Sequence, residues 1–256
     1  MNKLFVFLFI FFQVHAEIIE INHIEDLHDY IDKTTLVIFD IDNTLIEPAQ
    51  TLGSDQWFYY RRKQYQKEGY TSSDALEKAL SEWMAVQCIT DMKLVEQEAK
   101  PLIDSLQEKK ICIMGLTTRG MGLATRTIHQ LKDFQIHLDK TAPSKEEVFF
   151  ENTNACLFRN GILFTAGTDK GLALQKLLEK IGCQPKKIVF VNDKKSHLLP
   201  VEIFCEKQKI PFIGLRYGYL DEKVYQFNGE VAEVQFEAFK KILSDEKALE
   251  SLDNRF

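Results

Sequence analysis

The 256-residue chain has no internal repeat and no low-complexity tract, which excludes a solenoid and a disordered linker protein. Its five cysteines (Cys88, Cys112, Cys156, Cys183, Cys205) form no CxxC pair and no Cys/His spacing of a zinc site. Cys112, inside the apolar stretch ICIMGL, reads as a small core residue rather than half of a bridge. Basic residues form no stripe and the formal charge is −6, which argues against nucleic acid as the principal partner. The apolar run Leu4–Phe12 is shorter than the ~20 residues a membrane span requires.

That run does suit another purpose. One cation (Lys3), the apolar stretch and then Val14-His15-Ala16, with small residues at the third-last and last positions before Glu17, look like a cleaved secretory leader. The expectation is a leader over residues 1–16 and an exported, periplasmic or secreted, mature chain without a stable membrane span. Export permits disulfides but does not require them. The remainder is ordinary in composition, 45% hydrophobic and 27% charged, as befits one domain or one domain with a large insertion. The chain ends in Phe256, as exported barrel proteins often do, but QFEAFKKILSDEKALESL before it has helical periodicity, so a barrel is not expected.

Four apolar runs read as strands: Leu36–Asp40, Ile111–Leu116, Lys187–Asn192 and Pro211–Leu215. Helical patterns separate them, which points to an α/β fold with a mostly parallel sheet. About 65 residues lie between the first two, where a crossover needs a dozen or more. TSSDALEKALSEWMAV, with Thr71 placed to cap a helix, lies within them, so residues 47–110 read as an inserted helical cap. The core is then 17–46 and 111–256. Between the second and third strands, ACLFRNGILFTAG places Asn160-Gly161 as a tight hairpin turn. DKGLALQKLLEKIG follows as a helix with Leu172, Leu174, Leu177 and Leu178 as its apolar side and Gly182 as its stop. A further amphipathic helix is expected from Val231.

Three of the strands end in polar residues, and the carboxyl ends of parallel strands line the edge where such folds bind ligands. In VIFDIDNTL, Asp40 and Asp42 sit one residue apart directly after a strand, with Thr44 two further on. Paired carboxylates repel, so the arrangement points to a cation or a reacting group. Thr117 is the first polar residue after ICIMGL. Lys170 opens a helix, where a cation opposes the helix dipole and calls for a partner anion, either a carboxylate or a phosphate. Asp193, after KIVFVN, is either the cap of the next helix or a hard oxygen ligand at the same sheet edge.

DIDNT, a strand-end threonine, a helix-start lysine and a strand-end ND, in this order, resemble the haloacid dehalogenase-like (HAD) phosphohydrolases over residues 34–217. The leader, LGSDQWF and RNGILFTAG…DKG further resemble a branch of exported bacterial HAD-like proteins, which leaves the substrate open. The resemblance implies a Rossmannoid three-layer sandwich with an inserted cap, and a Mg²⁺-dependent phosphatase acting on a small phosphorylated substrate. It implies Asp40 as nucleophile, Asp42 as acid and base, and Thr117 and Lys170 as holders of the phosphoryl oxygens. It places Mg²⁺ on Asp40, the Asp42 backbone carbonyl and Asp193. Asp42 also favours phosphoester over halide chemistry, because a leaving alkoxide needs a proton.

Two positions depart from the family pattern. Asn192 stands where an acid or glycine is common, removing a negative charge from the surroundings of the metal. His197 stands where Asp or Asn is frequent and reads as a helix-surface residue rather than a ligand. A catalytically weak binding protein of the same fold, or a phosphotransferase, are the alternatives. Trp57, Tyr59, Tyr60, Arg61 and Arg62, near the start of the cap, read either as one side of an ordinary amphipathic helix or as a grip for a base, sugar or phosphate.

Overall fold

The computed structural model describes residues 16–239 and Asp245. In chain order its elements are β1 (Ala16–Ile21), β2 (Thr35–Phe39), β3 (Ile46–Pro48), α1 (Asp55–Lys67), α2 (Ser72–Ile89) and β4 (Met92–Leu94). Next come α3 (Ala99–Glu108), β5 (Cys112–Thr117), α4 (Ala124–Asp133), β6 (Val148–Glu151), β7 (Ala155–Arg159) and β8 (Ile162–Phe164). The chain continues with α5 (Lys170–Ile181), β9 (Lys187–Asn192), α6 (Lys195–Gln208), β10 (Phe212–Tyr217), α7 (Asp221–Tyr225) and α8 (Gly229–Glu237).

The main sheet has eight strands in the order β1-β10-β9-β2-β5-β8-β7-β6, and β3 pairs with β4 separately. From β1 to β8 every pairing is parallel, and the β6–β7–β8 ladder adds the antiparallel edge. β2 lies at the centre, between β9 and β5, so both its faces are covered. Its alternation divides two cores. Val37 and Phe39 enter the core with α3 and α4, while Leu36 and Ile38 enter the core with α5 and α6. The result is a three-layer α/β sandwich, its mostly parallel sheet flanked by helices on both faces.

All four expected strands form, within two residues at each end, as β2, β5, β9 and β10. The Asn160-Gly161 turn joins β7 to β8 with both residues at positive φ, 49° and 75°, as a two-residue hairpin turn requires. Thr71 caps α2, its side chain accepting from the Asp74 amide at 3.2 Å. Gly182 ends α5 in the left-handed region.

Three details differ from the sequence reading. Leu172 is 52% exposed, because it sits on the solvent side of α5 while Leu174, Leu177 and Leu178 face the core. The helix expected from Val231 begins at Gly229, with Asn228 as its cap. Within 47–110, α3 lies on the sheet, its Leu102, Ile103 and Leu106 packed in the same core as Val37 and Phe39. The helices α1 and α2, which pack on each other, build a separate core from Leu52, Trp57, Trp83 and Val86. The leader, apart from Ala16, and the chain end after Phe239, apart from Asp245, lie outside the described residues.

α5 and α6 approach closely where Gly171 faces Pro200. A Cβ on Gly171 would stand 2.1 Å from the Pro200 carbonyl oxygen. Gly171→Ala is therefore expected to cost about 1–3 kcal/mol of stability through overpacking. Thermal unfolding should show a fall in Tm of about 3–10 °C. An unchanged Tm would mean the two helices separate freely.

Candidate active site

Asp40 follows β2 directly, and the backbone holds it there: its amide donates to the Val191 carbonyl of β9 at 3.0 Å. The chain then turns tightly, with the amides of Leu45 and Ile46 both donating to the Ile41 carbonyl and Asn43 at φ 56°. This turn puts Asp40 and Asp42 at the carboxyl edge of the sheet.

The buried Asp40 carboxylate is surrounded by donors. Oδ1 accepts from the Ile41 amide at 2.9 Å and lies 2.9 Å from Lys170 Nζ. Oδ2 accepts from Asn192 Nδ2 at 2.9 Å. Burial opposes its ionisation, but the Lys170 ammonium and the neighbouring His197 overcome it and hold the carboxyl well below the usual range. Lys170, itself buried, also donates to the Leu116 carbonyl at 3.0 Å. Burial draws its ammonium down and Asp40 pulls against that. The partner anion that a lysine at a helix start demands is thus Asp40. Asp169 supplies the helix cap instead, accepting from the Leu172 amide at 2.9 Å.

Thr117 ends β5 fully buried, its hydroxyl oxygen accepting from the Arg119 amide at 3.1 Å. Its own hydroxyl proton remains free to donate. Asp193 caps no helix; the cap position of α6 is Lys194, whose amide donates to Asn192 Oδ1 at 2.8 Å. Burial, with the charges of Asp40 and Asp55, pushes the Asp193 carboxyl up to about 7 although Lys194 opposes this. Asn43 Nδ2 donates to Asp193 at 3.3 Å.

Asn192 contacts Asp40 directly through its side-chain amide. His197, on α6, is half-buried, its side chain keeping 23% exposure. Its Nδ1 is buried without a hydrogen-bond partner, 3.9 Å from Asp40 Oδ2. The helical repeat placed it on α6 without showing which side faces the sheet edge.

Arg119 was not singled out from the sequence. Its guanidinium grips Asp42 with two bonds, Nε to Oδ2 at 2.9 Å and Nη2 to Oδ1 at 2.7 Å. Burial pushes the Asp42 carboxyl above its ordinary value and Arg119 pulls it back. The signal available was TTRG, a cation two residues past a strand end that faces a carboxylate pair. On the opposite rim, Lys194 pairs with Asp55 at the start of α1 and lies over the Tyr59 ring at 5.1 Å.

Of the two readings of the residues near the start of the cap, an ordinary helix side or a substrate grip, the contacts of most of them follow the first. Trp57 is fully buried and its indole donates to Glu233 of α8 at 3.1 Å. Arg61 pairs with Glu82 at 2.8 Å and Glu233 at 2.9 Å, and Tyr60 packs on Phe227. Arg62 donates to Ser72 at 3.0 Å. They fasten the cap to itself and to the C-terminal helix. A cleft of about 190 Å³ opens beside Asn43, with Gln50, Ser54, Gln56 and Gln226 in its wall.

Among the described residues no group of three or more His, Cys, Asp or Glu side chains is placed to hold a metal. The oxygens that the resemblance names, those of Asp40, Asp193 and the Asp42 carbonyl, are hard donors of the kind Mg²⁺ prefers, and Mg²⁺ takes one or two carboxylates while keeping several waters. Four carboxyl groups, Asp40, Asp42, Asp55 and Asp193, converge there with Lys170, Lys194 and Arg119, and a cation bound among them would favour ionisation of Asp193, which burial otherwise opposes.

The fold and this strand-end constellation define an α/β protein with a carboxylate-rich site at the carboxyl edge of a mostly parallel sheet. Residues 20–249 match the family described as "Protein of unknown function (DUF2608)", and the chain belongs to that family. A relative from Chlamydia pneumoniae, 27% identical over 91% of this chain and 89% of its own length, carries the name "Putative outer membrane protein". A Rickettsia prowazekii protein, RP296, is 25% identical over 84% of this chain and 81% of its own length. Solved structures similar to the chain include a HAD-like family hydrolase from Streptococcus pneumoniae, with 12% identity, 75% and 97% coverage and a TM-score of 0.43. A HAD-superfamily hydrolase from Ehrlichia chaffeensis has 16% identity, 76% and 97% coverage and a TM-score of 0.40.

Proposed function

We propose that this protein is a Mg²⁺-dependent phosphomonoester hydrolase acting through an aspartyl-phosphate on Asp40. The observation that carries the reading is the buried, ionised Asp40 carboxylate at the end of the central strand, 2.9 Å from Lys170, with Asp42 two residues on. A carboxylate kept ionised in a buried site is a competent nucleophile, and covalent capture divides one difficult displacement into two easier ones.

In the first half-reaction an Asp40 oxygen attacks phosphorus, and the bond to the leaving oxygen breaks as Asp42 delivers its proton there. In the second, water attacks the same phosphorus while Asp42 takes up a proton, and phosphate departs as Asp40 is regenerated. Lys170 and the Thr117 hydroxyl stabilise the phosphoryl oxygens throughout. Asp40, Asp193 and the Asp42 carbonyl would hold Mg²⁺, which supplies positive charge against those oxygens. The relatives' names and the leader-like pattern of residues 1–16 support an exported protein of the cell envelope. No helix among the described residues is long and apolar enough to cross a membrane.

The purified protein should hydrolyse an aryl phosphate with Mg²⁺ and cease when the metal is chelated. Asp193→Asn should raise the half-saturating Mg²⁺ concentration by roughly tenfold or more, with maximal rate less affected. An inert wild-type protein would refute the phosphatase reading. An unchanged Mg²⁺ requirement would remove Asp193 from the metal site.

A further inference from the structure

The Arg119 guanidinium has all five of its N–H groups engaged, and the partners come from three parts of the chain. Two donate to Asp42 as described. Nη1 donates to Thr127 at 2.9 Å and Gln130 at 2.7 Å, both on core helix α4. Nη2 also donates to Gln87 Oε1 at 3.1 Å, on cap helix α2. The Trp83 ring, from the same cap helix, lies 5.5 Å from the guanidinium carbon. Its side chain is 1% exposed, while that of Asp42 keeps 14% exposure.

A carboxylate offers about four lone-pair sites, so a two-pronged guanidinium leaves roughly half free to exchange a proton with a leaving group or a water. Holding both oxygens fixes the carboxylate plane, since the fork is rigid in a way that a lysine is not. The end of α2 is fastened at the same place. Arg126 donates to the Thr90 carbonyl at 2.8 Å and Gln130 to the Gln87 carbonyl at 3.3 Å.

We propose that Arg119 is a positioning residue that fixes the Asp42 carboxylate and makes its placement depend on the docked cap through Gln87 and Trp83. The proposal builds on the phosphatase reading for its catalytic consequence. Its structural part stands independently: release of the cap end at Gln87 loosens the turn that carries Asp42, although Gln87 does not touch that turn. The fit of the cap over a substrate would then set the acid–base group.

Amide hydrogen exchange on the full protein tests the coupling. The amides of Asn43, Leu45 and Ile46 are hydrogen-bonded within the turn and serve as reporters. Gln87→Met keeps side-chain length but removes both the acceptor for Arg119 and the Nε2 donor to the Gly53 carbonyl at 2.7 Å, and should speed exchange over residues 41–46 by about tenfold. Gln87→Glu loses the same donor but keeps an acceptor for Arg119, so it controls for the Gly53 bond and should leave those amides markedly better protected than Gln87→Met. Unchanged exchange in Gln87→Met, or equal acceleration in both variants, would overturn the coupling. Should Gln87→Met not fold, Trp83→Leu removes the ring from the guanidinium and is read the same way.

The catalytic consequence is read by leaving group. Arg119→Lys should lower kcat for an alkyl phosphate at least about tenfold more than for an aryl phosphate of an acidic phenol, whose leaving oxygen needs little protonation. Equal losses on both esters would reduce Arg119 to a structural role. Wild-type protein inert on both esters would refute the phosphatase reading, while the exchange experiment would still decide the coupling.

Discussion

Asp40→Asn is expected to abolish phosphate ester turnover, with kcat falling by at least about 10³-fold, because an amide cannot form the acyl-phosphate bond. The substitution is nearly isosteric, and the carbonyl oxygen of the new side chain can keep the Ile41 amide and Lys170 as donors. The amide nitrogen then meets Asn192 Nδ2, which now donates to Oδ2 at 2.9 Å. Two donors facing each other in a buried site should cost about 1–3 kcal/mol. Rotating Asn192 to relieve this would surrender the bond its Oδ1 accepts from the Lys194 amide. The variant should therefore fold, melt several degrees lower and show no turnover. Circular dichroism, a melting curve and a phosphate-release assay together check this. Near wild-type turnover by a folded Asp40→Asn protein would place the nucleophile elsewhere.

The parts legible in the sequence are those written locally. β2 and β9 show as apolar runs because both their faces are buried, and each announces its end with polar residues that the edge needs. Lys170 is legible for a similar reason: a cation at a helix start is electrostatically misplaced unless an anion faces it, and Asp40 does. β1 escapes notice because AEIIEI is a short edge strand, five of its six residues not fully buried, at the leader boundary. The two-stranded β3–β4 ladder is three residues long on each side and exists through its partner rather than its own pattern. An amphipathic period tells that a helix has an apolar side but not what covers it. Hence α3 reads as part of the cap although it lies on the sheet. The attachment of the cap to α8 is less legible still. Trp57 and Glu233 are 176 residues apart, and nothing in the local pattern of either names the other. Arg119 belongs to the same kind, since its partners at positions 42, 87, 127 and 130 converge only in the folded chain.

The pairing of Lys170 with Asp40 carries a second large expected effect, on stability rather than rate. Lys170→Met keeps an unbranched stem against the Phe190 ring, over which Nζ now lies at 5.2 Å. What disappears is the ammonium, which faces Asp40 and donates to the Leu116 carbonyl. The Asp40 carboxylate would then be buried without its ammonium partner, and removing one partner of a buried ion pair typically costs about 3–5 kcal/mol. Urea unfolding without metal or phosphate should record that loss for Lys170→Met alone. Asp40→Asn in the same chain removes the stranded charge, so the double variant should recover a large part of it. The two substitutions are thus expected to be non-additive by about 1–3 kcal/mol, in the direction of rescue. Neither the single nor the double variant should turn over substrate, which separates the stability effect from catalysis. Strictly additive losses would mean that the ammonium does not compensate Asp40. The favoured ionisation of the proposed nucleophile would then need another source, with His197 and Asn192 the remaining groups beside it.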